Sequence, residues 1–128
     1  MEERDDAVGA ALGDVVADVR RQATDELVEV RVTAGSREEA QRLADLLVDE
    51  RLAACVQLVE ITSCYRWQGA VEHEPEVLLL AKSTNRRFPR LLARLREAHS
   101  YDTPEVLAVP VVAADEEYAE WVRESVRS

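Results

Sequence analysis

Polar and apolar residues alternate from Leu27 to Val32. Val28, Val30 and Val32 fall on one side, and Glu29 and Arg31 on the other. Successive side chains of a strand point to opposite faces, so this stretch predicts a half-buried strand. Gly35 and Ser36 break it. Ser36 and Glu39 then form a capping-box pattern, in which each side chain can satisfy a free N–H of a first helical turn. Ala40, Leu43, Ala44 and Leu47 follow at helical spacing, which predicts an amphipathic helix over about 36–50.

Ala53 to Leu58 reads as a second strand and Ile61 to Trp67 as its continuation. The alternation changes face around Glu60, which predicts a bulge there. Gln68–Gly69 marks a hairpin turn. Val71 to Lys82 returns as a third strand, with Val77 to Ala81 uniformly apolar. Pro75 cannot donate to a ladder, so it belongs on an edge or on a protruding hairpin end. Ser83, Thr84 and Asn85 are all good N-caps for a second helix running to about Ala98, with Phe88, Leu91, Leu92 and Leu95 on one face. Pro89 lies close enough to its start to be tolerated. Glu105 to Val112 reads as a fourth strand, edge-placed or bulged by Pro110. Asp115, Glu116 and Glu117 suit the N-terminus of a last helix lined by Tyr118, Trp121, Val122 and Val126.

The order βαββαβ plus a C-terminal helix predicts an α+β, ferredoxin-like sandwich with a long β2–β3 hairpin. Its edges need covering, and a long proline-bearing hairpin suggests that neighbouring subunits cover them. At 128 residues the chain is expected to be one domain, over 25–128. Residues 1–24 differ: six acids, three arginines and two of the four glycines read as a weakly ordered acidic extension.

Composition narrows the function classes. The net charge of −10 argues against nucleic acid and against anionic lipid as partners. No apolar run approaches the ~20 residues of a membrane span, and the acidic start does not read as a secretory signal. Two cysteines, Cys55 and Cys64, make a disulfide framework unexpected and point to a reducing cytoplasm. Of 16 basic residues only Lys82 is lysine. That reflects either genomic composition or salt adaptation, or a position where arginine cannot serve.

No phosphate loop, zinc-ligand spacing or Ser/His/Asp elbow is present. Cys55, in RLAACVQ, is either a core thiol or a soft-metal ligand or nucleophile. Glu72, Glu74 and Glu76 share one strand face. They form either a solvated surface or a carboxylate site for a cation, or for a Lys or Arg from another subunit. His73 points the other way. His99 either caps the second helix or ligates a metal, with Tyr101, Pro104 and Glu105 framing a rigid turn beside it. Tyr65 and Trp67 are amphipathic aromatics suited to an interface.

RLAACVQ, YRWQGAVEHEPEVLLLAKS, HSYDTPEVLAVPV and EYAEWV, in that order over 26–126, resemble the divalent-cation tolerance (CutA) family. The resemblance implies a ferredoxin-like subunit in a tight homotrimer, similar to the nitrogen-regulatory signalling trimers, and a link to copper and other divalent metal ions. It carries over Cys55, Glu72, Glu76 and His99 as metal-site residues, with Trp67, Lys82, Tyr101 and Glu105 lining an intersubunit cleft. The first 24 residues, Cys64 and His73 fall outside the family pattern. The expected function is a copper-binding, metal-responsive homotrimer that works by binding rather than catalysis. The alternatives are a scaffold trimer whose cleft docks a protein or small ligand, and an enzyme using Cys55 with His99 as base.

Overall fold

A computed structural model of the chain describes residues 25–127; the acidic extension expected over 1–24 lies outside the described residues. Its elements follow the expected order: β1 (Leu27–Ala34), α1 (Arg37–Asp49), β2 (Cys55–Trp67), β3 (Ala70–Thr84), α2 (Phe88–Ala98), β4 (Val106–Pro110) and α3 (Glu116–Val126). The strands form one antiparallel sheet in the order β2-β3-β1-β4. Pro110 sits on the edge strand β4. Pro75 sits in the part of β3 that runs beyond its pairing with β1, where its missing N–H costs no bond to β1.

The β2–β3 ladder runs from Cys55↔Lys82 to Trp67↔Ala70 without interruption, so the bulge expected near Glu60 is absent. The change in alternation has another cause. Up to Leu58, the apolar residues Val56 and Leu58 face the chain's own helices. Beyond it the strand outruns those helices, Glu60 is exposed beside Arg37, and Val59 and Ile61 present their apolar side chains to the opposite face. The pattern switches because the cover switches, not the register. At the tip, Gln68 and Gly69 both take positive φ (49° and 84°), as the tightest two-residue hairpin loop requires.

One sheet face carries the main core. Val30, Val32, Leu79 and Ala81 are fully buried against Ala40, Leu43 and Leu47 of α1 and Leu91 and Leu95 of α2. Each such Val or Leu contributes about 1.5–3 kcal/mol relative to exposure. Among the described residues the other face is covered only at one end, where Ala119 and Val122 of α3 pack on Leu27, Ala54 and Val111. Tyr118 and Trp121, expected to share one helix face with Val122 and Val126, are 40% and 47% exposed. They pack on each other at a ring-centroid separation of 5.6 Å, while the smaller Ala119 takes the buried position.

Ser36 caps α1, its Oγ accepting from the Glu39 N–H at 3.1 Å. The Glu39 carboxylate goes elsewhere, accepting from the N–H and hydroxyl of Ser100, each at 2.9 Å. Helix α2 departs from expectation: its N-cap is Arg87, without a side-chain cap, because β3 extends to Thr84 and Ser83 bonds the Leu52 carbonyl. Pro89 sits in its first turn. Asp115 caps α3 through the Tyr118 N–H at 3.1 Å.

Candidate functional site

The open face of the sheet ends in a cleft of about 450 Å³ that runs along the protruding hairpin from Glu76 to Trp67. Strand register decides what lines it. The partners Ser63↔Glu74 and Tyr65↔Glu72 place Tyr65, Trp67, Glu74 and Glu76 on one face, the one away from α1 and α2. The α2–β4 loop closes the far side with Tyr101, Asp102, Thr103 and Glu105, and Thr33 forms part of the lining.

That loop is held by a chain of bonds. His99, the C-cap of α2, is buried. Its Nε2 lies 2.7 Å from the Thr33 carbonyl oxygen, and its Nδ1 accepts from the Tyr101 N–H at 3.0 Å. This pattern requires the proton on Nε2. The Tyr101 hydroxyl donates to Glu76 Oε2 at 3.1 Å. Burial, then the bond and charge of Glu76, push that hydroxyl up to about 12. Tyr65 is raised in the same way, by desolvation and then by its bond to Glu74. Glu39 clamps the preceding residue, Ser100. Burial alone would raise its carboxyl, but the two Ser100 bonds hold it below the ordinary value. Gly35 is needed beside this loop, because a Cβ there would lie 2.9 Å from the Tyr101 hydroxyl oxygen.

The cleft therefore presents four carboxylates, Glu74, Glu76, Asp102 and Glu105, between three aromatic rings, and among the described residues no basic one lines it. Its field attracts cations. Of the expected site residues it brings together Trp67, Glu76, Tyr101 and Glu105. Glu72 shares the face but lies outside the lining, and His99 supports the loop from behind.

Lys82 does not neutralise the glutamates. Its Nζ donates to Glu29 Oε2 at 2.9 Å and to Gln57 Oε1 at 3.3 Å. Six strand residues separate it from Glu76, or about 20 Å. Cys55 lies in the same row as Lys82 and Glu29. Thr33, which carries His99, is four residues along β1 from that row, or about 13 Å. Cys55 and His99 therefore form no nucleophile–base pair within the chain. Nor do Cys55, Glu72, Glu76 and His99 form one coordination shell there. Among the described residues no three His, Cys, Asp or Glu side chains are grouped to hold a metal ion.

The sequence pattern put Glu74 on the acidic strand face and Tyr65 among the interface aromatics without joining them to the site, read Gly35 only as a strand breaker, and left out Asp102, Thr103 and Thr33. Glu74 and Tyr65 were legible from strand parity with Glu76 and Trp67, and Asp102 and Thr103 lie inside the HSYDTPE motif.

Fold and cleft together define a ferredoxin-like α+β chain with an acidic, aromatic-lined site on an uncovered sheet face. Residues 28–125 match the family described as CutA1 divalent ion tolerance protein, and the chain belongs to that family. It is 46% identical over 97 residues to the divalent-cation tolerance protein CutA of Thermus thermophilus, covering 75% of this chain and 94% of that one. It is 43% identical over 101 residues to the Pectobacterium atrosepticum protein of the same description, covering 78% and 92%. The solved divalent cation tolerance protein (Cut A1) of Thermus thermophilus superposes with a TM-score of 0.77 at 44% identity, covering 79% of this chain and 99% of that chain.

The family description names divalent ions, and the cleft of a single chain does not by itself fit a chelated one. Glu74 and Glu76 are each tied to a tyrosine hydroxyl, and the carboxylates surround the space instead of converging on a point.

Proposed function

We propose that the chain works by binding, as a homotrimer that takes up divalent cations in clefts completed between subunits. The observation that carries this reading is that the acidic cleft opens on the same sheet face that the described residues leave largely uncovered. Val59 and Leu107 on that face are 43% and 54% exposed, and Trp67 at the cleft is 60% exposed. Assembly through this face would bury the apolar residues, cover strand edges and close the cleft with groups from a second copy. The carboxylates supply the attraction, and a neighbour would supply the donors a single chain lacks. Cu(II) is the ion expected to bind most tightly at such oxygen donors, because it leads the affinity order of divalent first-row metals.

Sedimentation at micromolar concentration should give the mass of three subunits; a monomer would overturn the assembly. Cu(II) titration should weaken at least tenfold in the Glu74→Gln/Glu105→Gln variant while the trimer persists. Equal affinity in that variant would remove the cleft as the site.

A further inference from the structure

On the opposite face of the same hairpin, Cys64 and His73 are direct cross-strand partners, and Cys64 Sγ lies 3.4 Å from His73 Nε2. Both side chains are exposed, beyond the reach of α1 and α2. Neither belongs to the cleft, which lies on the other face of β2 and β3. We propose that this pair is a separate binding site for a thiophilic divalent ion of the zinc type.

The spacing is the argument. Zinc–sulfur and zinc–nitrogen bonds of about 2.3 and 2.05 Å at a tetrahedral angle put the two donor atoms about 3.6 Å apart. The pair stands within 0.2 Å of that bite, by the difference from the observed 3.4 Å. A linear two-coordinate ion would need the same bonds end to end, about 4.4 Å, and would force the strands' side chains apart. Uninterrupted pairing from Cys55↔Lys82 to Trp67↔Ala70 fixes the two residues opposite each other, so binding orders little that is not already ordered.

On binding, the Cys64 thiol gives its proton to solvent and its sulfur becomes a thiolate ligand. His73 donates the Nε2 lone pair and keeps its proton on Nδ1. The remaining two positions of a tetrahedral ion face solvent and take water. The flanking pairs on this face, Arg66↔Val71 and Thr62↔Pro75, add no carboxylate. The site is therefore selected by donor softness, whereas the cleft is selected by negative charge.

Co(II) and Zn(II) titrations of the reduced full-length protein test this directly. Co(II) should produce a near-ultraviolet thiolate-to-cobalt band at one ion per chain. Cys64→Ser should abolish the band, and His73→Gln should weaken Zn(II) binding at least tenfold. Cys55→Ser should leave the cobalt band unchanged, which assigns the band to Cys64 and not to the other thiol. A band that survives Cys64→Ser, a band lost in Cys55→Ser, or wild-type Zn(II) affinity in His73→Gln would each overturn the proposal.

Discussion

The two faces of the sheet are built from the same strands and meet opposite fates. On the helix-covered face the chain completes its own core, with Val30, Val32 and Leu79 at zero exposure. On the other face α3 covers one end, and Val59, Leu107, Tyr65 and Trp67 remain exposed. Apolar surface of that extent on strands with open edges suits an oligomer interface. The helix-covered face therefore governs whether the chain folds, and on the proposed reading the other face serves assembly and binding.

The largest expected effect breaks the first face. Leu79→Ala removes a fully buried side chain between two helices and should cost about 2–5 kcal/mol of unfolding free energy. Chemical denaturation reads this cost, and folding and assembly should fall together. The contrasting substitution is Leu107→Asp, at a position 54% exposed. It should leave the secondary structure of the chain intact but shift sedimentation from trimer to monomer. If Leu107→Asp stays trimeric with unchanged stability, the uncovered face is not the interface and the comparison fails.

How much of this was legible in the sequence follows the same division. Elements packed into the chain's own helix–sheet core were readable: β1, α1 and α2 follow from period two and period 3.6. The errors fall where cover comes from elsewhere or is missing. Val59 and Ile61 break the alternation because they face away from the helices, and sequence reading took that for a bulge. Tyr118 and Trp121 fit the helical period but stay exposed, since periodicity names a face and not what lies against it. The cleft was half legible. Glu76, Trp67, Tyr101 and Glu105 line one cleft. Lys82 lies outside this cleft, bonded to Glu29, which is 53 residues away in sequence and adjacent only through the β1–β3 register.

An intermediate effect tests the wall of the cleft. Tyr101→Phe removes the bond to Glu76 and should cost about 1 kcal/mol. Its signature is alkaline. The folded hydroxyl titrates at about 12 against an ordinary value of 10.0. The phenol form is thus favoured in the folded state, and the stability it brings is complete below pH 10 and lost as pH rises from there through 12. Denaturation midpoints should fall over that range in the wild type and fall less in Tyr101→Phe. Gly35→Ala should mimic part of this loss by pressing a methyl group on the Tyr101 hydroxyl. Matching alkaline limbs in the wild type and Tyr101→Phe would show that the tyrosine is not held as described.

The smallest effect asks to which face Lys82 belongs energetically. Its side chain and that of Glu29 are 19% and 23% exposed at a separation of 2.9 Å. The bond from Lys82, followed by that from Arg31, holds the Glu29 carboxyl below its ordinary 4.5 against the opposing pull of burial. A lowered carboxyl stabilises the fold above pH 4.5, and that contribution disappears as pH falls through its folded value. Lys82→Met should therefore cost about 1 kcal/mol at neutral pH, in the range of a partly exposed pair. It should also reduce, without abolishing, the loss of stability on acidification, because Arg31 still bonds Glu29 at 3.0 Å. Trimer mass should not change. A cost above about 2 kcal/mol accompanied by dissociation would mean that the lysine is enclosed when subunits meet, where losing one partner strands a buried charge. The uncovered face would then extend to the base of the hairpin, and Lys82 would belong to assembly instead of to the single chain.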